Sequence, residues 1–282
     1  MDWLRGGIAQ GCRCGGCRSV CHSGAVPGKT AVLSGVERGV GAMQKLVFYT
    51  GAGMSRESGL PTFRGEGGLW DTLDVEAVAD RKSWYCGRRS DCNARRQIML
   101  DFFNPIRRMI LEAVPNDGHR TIAELERDFE VTVITQNGDD FHERAGSTNV
   151  IHLHGEALKN ASTMHPYESF AIDPADPDIH IGDKAPDGSQ IRPYVIFFNE
   201  DIELRLWRKA VETAKAADVF VVIGSTMLVY PAADLLKMIN SDCRLYIIDP
   251  DDVSLPDGII HPYTHICCGA SEGIARLKKL LQ

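Results

Sequence analysis

Short apolar runs recur from residue 43 onward, separated by polar turns and by stretches with helical spacing. Lys45–Thr50 (KLVFYT), Val131–Thr135 (VTVIT), Val150–Leu153 (VIHL), Tyr194–Phe198 (YVIFF), Asp218–Gly224 (DVFVVIG) and Arg244–Asp249 (RLYIID) are brief, β-branched and mostly apolar. Such runs suit strands buried on both faces. Asp201–Ala217 places Leu204, Trp207, Ala210 and Val211 at helical spacing, and Pro231–Ile239 opens on a proline, which a helix start tolerates. Repeated strand–helix–strand units predict an α/β fold, a parallel sheet covered by helices. Two stretches break the rhythm: roughly 65–125, helical and charged, and 156–192, polar and rich in Asp and Pro. A small second domain built from these two insertions is expected. The large domain then comprises 43–64, 126–155 and 193–282. No internal repeat is present.

Residues 1–42 differ from the rest. They are rich in glycine and cysteine and lack apolar periodicity, whereas MQKLVFYTGAG starts a buried strand sharply at Met43. A disordered leader, or translation upstream of the natural start, is the expectation for 1–42. The alternative is a metal site at Cys12, Cys14, Cys17, Cys21 and His22, whose thiols could bind zinc. Against it stand the tight ligand spacing and the absence of a core to orient the ligands.

Bulk properties narrow the function classes. The 282 residues suffice for one large domain with a small partner, and 44% hydrophobic with 24% charged residues is ordinary globular composition. A formal net charge of −7 argues against nucleic acid held on a basic surface. No run approaches the ~20 apolar residues of a membrane helix, and MDWLRGGIAQ lacks a signal core. A cytoplasmic setting follows as the expectation. The nine cysteines lack disulfide-framework spacing, so reduced thiols are expected.

The strand KLVFYT runs into Gly51-Ala52-Gly53, a turn that suits a pyrophosphate, although Arg56 stands where a dinucleotide fingerprint has its third glycine. The full run GAGMSRESGLPTFRG (51–65) resembles the sirtuin signature GAGxSxxSGIPxFRG. The resemblance continues in order through TQNGDDFHERAG (135–146), HLHG (152–155), RPYVIFFNE (192–200), GSTMLVYP (224–231) and CGASEGIARL (268–277). Independent blocks in family order make chance agreement very improbable.

The resemblance implies a Rossmann-like large domain that binds NAD in a cleft beside the small domain, with acylated lysine of protein substrates as the partner. It implies NAD-dependent removal of acyl groups, giving nicotinamide, free lysine and O-acyl-ADP-ribose. Cofactor contacts fall on Gly51, Ala52, Gly53, Ser55, Phe63, Arg64, Gln136, Asn137, Asp139, Gly224, Ser225, Asn240, Asp249 and Cys268. Asn137 and Asp139 also count as catalytic, with His154 as the base. Histidine suits that role because its ordinary pKa, about 6.5, lets it accept a proton near neutrality. Phe198, Asn199 and Glu200 with Leu228 and Val229 are expected to hold substrate as an added strand. His152, on the same strand face as His154, is expected to be a packing residue. Asp140 and His142 are expected to pack or to face solvent.

Three departures from the family pattern matter. Most sirtuins carry four zinc cysteines after the HG motif, and here Gly155–Arg192 has none. No metal site is therefore expected in the small domain, as in a zinc-free bacterial group related to the succinyl- and malonyl-lysine deacylases. Those enzymes hold the acyl carboxylate with a Tyr-x-x-Arg pair. Counting back from Pro115 without a gap puts Phe103 and Ile106 at those two positions, and an uncharged acyl group is expected; Arg107, one position on, fits only a gapped register. Gly138 replaces an apolar residue and is expected to open one wall of the nicotinamide pocket. Rival readings are a sirtuin-like ADP-ribosyltransferase or NAD hydrolase, a Rossmann oxidoreductase, and a non-catalytic NAD-binding module. The sequence leaves the oligomeric state open.

Overall fold

The computed structural model describes residues 43–64, 68–87, 89–253 and 255–282. The possible metal ligands Cys12–His22 lie outside the described residues. In chain order the elements are β1 (Lys45–Thr50), α1 (Val75–Ala79), α2 (Arg81–Trp84), α3 (Cys92–Glu112), α4 (Asp117–Leu125), β2 (Glu130–Thr135), α5 (Phe141–Ala145) and β3 (Val150–His152). There follow β4 (Gly155–Ser162), β5 (Ser169–Ala171), β6 (Ile191–Val195), α6 (Leu204–Ala216), β7 (Val219–Ile223), β8 (Arg244–Ile248), β9 (Tyr263–Ile266) and α7 (Ala270–Leu281). Short 3-10 helices span Ala52–Ser58, Leu69–Asp71 and Ala232–Lys237.

Six strands form one parallel sheet in the order β3-β2-β1-β7-β8-β9. Alternation along β1 explains its place at the centre. Leu46 and Phe48 join Val131, Val133, Val221, Ile122, Ile274 and Leu277 on the face covered by α4 and α7. Val47 and Tyr49 join Ile134, Phe220, Val222, Ala210 and Ala214 on the face covered by α6. Period-two alternation with both faces apolar is what a strand covered on both sides requires. The chain walks from β1 through β2 to β3, then resumes on the other side of β1 with β7. That reversal makes a crevice at the C-terminal ends of β1 and β7, where open α/β sheets bind ligands.

The second sheet is antiparallel, in the order β5-β4-β6. It packs with α3 through Trp84, Met99, Leu100, Ile179 and Phe197, and through Ile110, Phe141 and Ala157. Three expectations need correction. The run YVIFF belongs to this small sheet through β6, which pairs with β4; an apolar run reads the same whichever neighbour it has. Pro231 caps a 3-10 helix of six residues, Ala232–Lys237, and the Tyr230–Pro231 peptide is cis. Cys86 and Cys92 form a disulfide, because the turn between α2 and α3 brings their Cα atoms to 5.4 Å. Cys243, Cys267 and Cys268 are not disulfide-bonded. No helix among the described residues is long and apolar enough to cross a membrane. No group of three or more His, Cys, Asp or Glu among them is placed to hold a metal ion.

Candidate active site

Eight of the expected site residues stand at or just past the C-terminal end of a parallel strand. Gly51 follows β1, Gln136 and Asn137 follow β2, His154 lies two residues past β3, Gly224 and Ser225 follow β7, Asp249 follows β8, and Cys268 lies just past β9. The sheet register therefore gathers residues scattered over more than two hundred positions along one edge.

Close backbone contact shapes the glycine turn. A Cβ on Gly53 would sit 2.6 Å from Gly224 Cα, and one on Gly51 would sit 2.7 Å from Gly224 O. The amides of Gly51 and Gly53 already donate to Ile223 O and Gly224 O, both at 2.9 Å. These two glycines thus serve by letting the turn lie against the end of β7. Ser55 is buried and donates from Oγ to Asp139 Oδ2 at 2.8 Å. Asn137 Nδ2 donates to Gly51 O at 3.0 Å and to Ser55 Oγ at 3.1 Å. Ser55, Asn137 and Asp139 are thereby one buried network joining the loops after β1 and β2. Burial drives the Asp139 carboxyl up to about 6, and the bonds from Ser55 and Phe141 N oppose that shift.

Gln136 accepts from Ser225 Oγ at 2.9 Å, which ties the β2 loop to the β7 loop. Its amide nitrogen is buried without a partner. A buried orphan donor in a crevice calls for an acceptor. A sugar hydroxyl or carboxamide oxygen supplies one, so the residues present fit a nicotinamide dinucleotide.

His154 lies two residues past β3, beside Gln136. Its Nδ1 lies 3.3 Å from the Gln136 carbonyl oxygen, so that nitrogen carries the proton and Nε2 keeps its lone pair. Burial pushes its pKa down to about 4, and the Gln136 carbonyl opposes this only in part. The ring is a neutral acceptor at pH 7. Gly155 next to it has φ +79°, and a Cβ there would meet Tyr194 O at 2.3 Å, so β6 fixes the turn that presents His154. Gly138 faces β4: a Cβ would lie 3.4 Å from Ala157 N, and Gly138 O accepts that amide at 2.7 Å. The expected opening in that wall is occupied by Ala157.

Phe63 stacks on Trp70 at 5.0 Å between centroids, and Trp70 meets Phe198 edge-on at 6.0 Å. The cofactor segment and the substrate segment share one aromatic cluster, which the sequence reading missed. Arg64 beside it is exposed. Phe198 donates to Ala79 O at 2.8 Å and accepts from Arg81 N at 3.0 Å. Asn199 is exposed at φ +65° and donates its side-chain amide to Asp80. Glu200 is a scaffold residue: its carboxylate takes both Nη atoms of the buried Arg192, at 2.6 and 2.8 Å, and Phe197 N at 2.8 Å. Leu228 is exposed and Val229 half-buried. Phe103 and Ile106 are half-buried in adjoining clusters that share Val195, one residue from Ile196, which donates to His154 O. Arg107 is buried, with Nη2 on Asn160 Oδ1 at 2.9 Å and Nε and Nη1 without a partner.

Two expected residues are placed differently. Asn240 precedes β8, at the opposite edge of the sheet, and its amide donates to Lys215 O. Asp249 does reach the site edge, but its Oδ1 accepts Asp251 N at 3.0 Å. Ala52 opens the 3-10 helix beside Gly51.

The sequence model of the Sir2 family matches residues 51–231. An NAD-dependent protein deacylase of Bacteroides thetaiotaomicron is 44% identical over 244 residues, covering 85% of this chain and 98% of the relative. A solved Sir2 homologue in complex with ADP-ribose superposes with TM-score 0.72 at 33% identity, covering 85% of this chain and 94% of the other. A Sir2 homologue in complex with NAD gives TM-score 0.68 at 32% identity, with 85% and 91% coverage. With the strand-end loops, the buried Ser55–Asn137–Asp139 network and the His154 turn in place, this chain belongs to the Sir2 family, the sirtuins.

Proposed function

We propose that this chain is an NAD-dependent protein-lysine deacylase that takes uncharged acyl groups. The observation that carries the reading is His154, a neutral ring whose Nδ1 is committed to Gln136 O, which leaves Nε2 as the acceptor. Gln136, Ser225, Asn137 and Asp139 line the crevice and would hold the cofactor's nicotinamide ribose. When bound, NAD supplies a ribose carbon whose bond to nicotinamide breaks and hydroxyls that can take the acyl group. His154 Nε2 accepts a proton from such a hydroxyl, which a transferase that only cleaves NAD does not require. An acyl-lysine segment would lie between Phe198–Asn199 and Leu228–Val229, where Asn199 and Leu228 are exposed. The products are nicotinamide, free lysine and O-acyl-ADP-ribose.

The finer reading concerns the acyl group and the small domain. Phe103 and Ile106 bring no hydroxyl and no cation to the region of Val195. A carboxylate entering there would be unpaired, which costs on the order of 1–3 kcal/mol. Acetyl and longer uncharged chains suit that lining. The cysteine-free stretch 156–192 favours the zinc-free bacterial group. His154→Ala should lower NAD-dependent deacylation about 10²–10⁴-fold while NAD still binds. Peptide mass spectrometry and an NAD titration measure both; near-normal turnover in the variant would refute the reading. Nicotinamide release that ignores acylated peptide would instead favour an NAD hydrolase.

A further inference from the structure

His152, the last residue of β3, is expected from sequence to be a packing residue, and its surroundings say otherwise. The side chain is 7% exposed. Its Nδ1 lies 3.1 Å from the Asn137 carbonyl oxygen and its Nε2 lies 2.8 Å from Glu143 Oε1. Both partners only accept. A neutral imidazole has one N–H and can serve only one of them, whereas an imidazolium serves both.

We propose that His152 is a positioning residue, an imidazolium that holds the nicotinamide loop 136–139 by donating to Asn137 O on one side and to Glu143 on the other. The proposal rests on the deacylase reading for its effect on turnover, and on geometry alone for the charge state. Asn137 is otherwise held by Thr135 Oγ1 at its amide and by Gly51 O and Ser55 Oγ at its side chain. The His152 contact is the restraint on its carbonyl. Losing it leaves that carbonyl facing a ring lone pair, and the loop carrying Gln136, Asn137 and Asp139 loosens.

The surrounding charges favour the cation. From α5, Glu143 faces the ring directly, and its carboxyl is held below its ordinary range by His152 although burial resists this. His142, also on α5, is fully buried and kept neutral. From β4, Glu156 adds negative charge and is itself paired with Lys159 at 2.8 Å. Asp139 lies on the loop itself and feels the same ring. Burial lowers the His152 pKa, yet the Glu143 bond, the charges of Glu143 and Glu156 and the Asn137 carbonyl outweigh it, and the net shift is upward. A base with a raised folded pKa contributes its order below its ordinary value and loses it as pH rises through the folded value. The cofactor site therefore weakens on the alkaline side.

The test uses the full chain. Nitrogen-15 NMR of histidine-labelled protein, with the His152 signal identified by its loss in His152→Gln, should show two protonated ring nitrogens at pH 7. Glu143→Gln, a change at a partly exposed side chain, should lower that pKa. It should raise the KM for NAD about tenfold at pH 8 and leave it near wild type at pH 6, with the KM for acylated peptide unchanged. A neutral His152 tautomer at pH 6.5, or a Glu143→Gln defect equal at every pH, would overturn the proposal. Absence of acyl-dependent turnover in the wild type would sink the deacylase reading and leave the NMR result standing.

Discussion

Gly53 and Gly224 touch backbone to backbone, and neither has a flexible side chain that could yield. Gly53→Ala must part the β1 and β7 loops. Overpacking of this kind typically costs about 1–3 kcal/mol. NAD affinity measured by calorimetry should fall about tenfold or more; an unchanged Kd would show that the contact relaxes freely. The acyl pocket gives a second residue-scale prediction. Arg107 is buried on Asn160, so Arg107→Met should leave the ratio of succinyl to acetyl turnover within about twofold of wild type. Ile106→Arg should raise that ratio about tenfold by supplying a cation. Competing peptides at equal concentration measure both, and a loss of succinyl turnover confined to Arg107→Met would show that the gapless register is wrong. The identities of Gln136, Asn137, Asp139 and His154 were legible because the motif names them. Their inward bonding was not, since Asn137 meets Ser55 across 82 positions and Asp139 meets it across 84. For the same reason Glu200 was expected to touch substrate, when Arg192 holds it in the scaffold.

At the scale of elements, the small sheet closes through polar side chains. Gln190 ties the start of β6 to the 180–182 turn: it accepts Gly182 N at 2.7 Å and donates to His180 O at 2.8 Å and Ile191 O at 3.1 Å. Ser162 Oγ binds Ser189 at 2.8 Å and also Asp187, and Thr163 Oγ1 donates to Gln190 O at 2.6 Å. Gln190→Ala removes three part-buried hydrogen bonds and should lower stability by about 1–3 kcal/mol, read as a shift in denaturant midpoint. A shift within error would show that water replaces the amide. Sequence patterning found β1, β2, β3, β7, β8 and α6, whose apolar residues recur at a clean period. It missed β9, because Tyr263–Ile266 (YTHI) is only four residues long with polar Thr264 and His265 at its centre. It missed β4 and β5, where exposed or half-buried positions interrupt the apolar signal.

Across the whole molecule, buried histidines set the response to acid. His119 and His154 are lowered to about 3 and about 4, and His142 is lowered well below its ordinary value, in each case chiefly by burial. Groups that are neutral when folded and charged when unfolded take stability away as pH falls through the unfolded value. Asp139, raised to about 6, acts in the opposite sense below that pH, as do Asp140 and Asp249, also raised by burial, but the three histidines oppose them across the whole window from pH 6.5 down. The thermal midpoint should drop between pH 6.5 and 5. A flat profile across that window would mean that the rings are hydrated.

The central pairing of β1 with β7 also has a consequence in time. Lys45 N meets Asp218 across 173 positions, with β2 and β3 and both insertions in between. At ribosomal rates of about 5–20 residues per second, β1 waits on the order of 10–35 s for its second neighbour. During that interval the nascent chain holds β1 paired on one edge only. An apolar strand with an open edge is a template for the wrong partner. A chain stopped at residue 217 should therefore sediment, or stay soluble only with a chaperone bound, while the chain carried on through β9 stays in solution. A soluble, unaccompanied 1–217 fragment would show that the helices on either side shield that edge before its partner arrives.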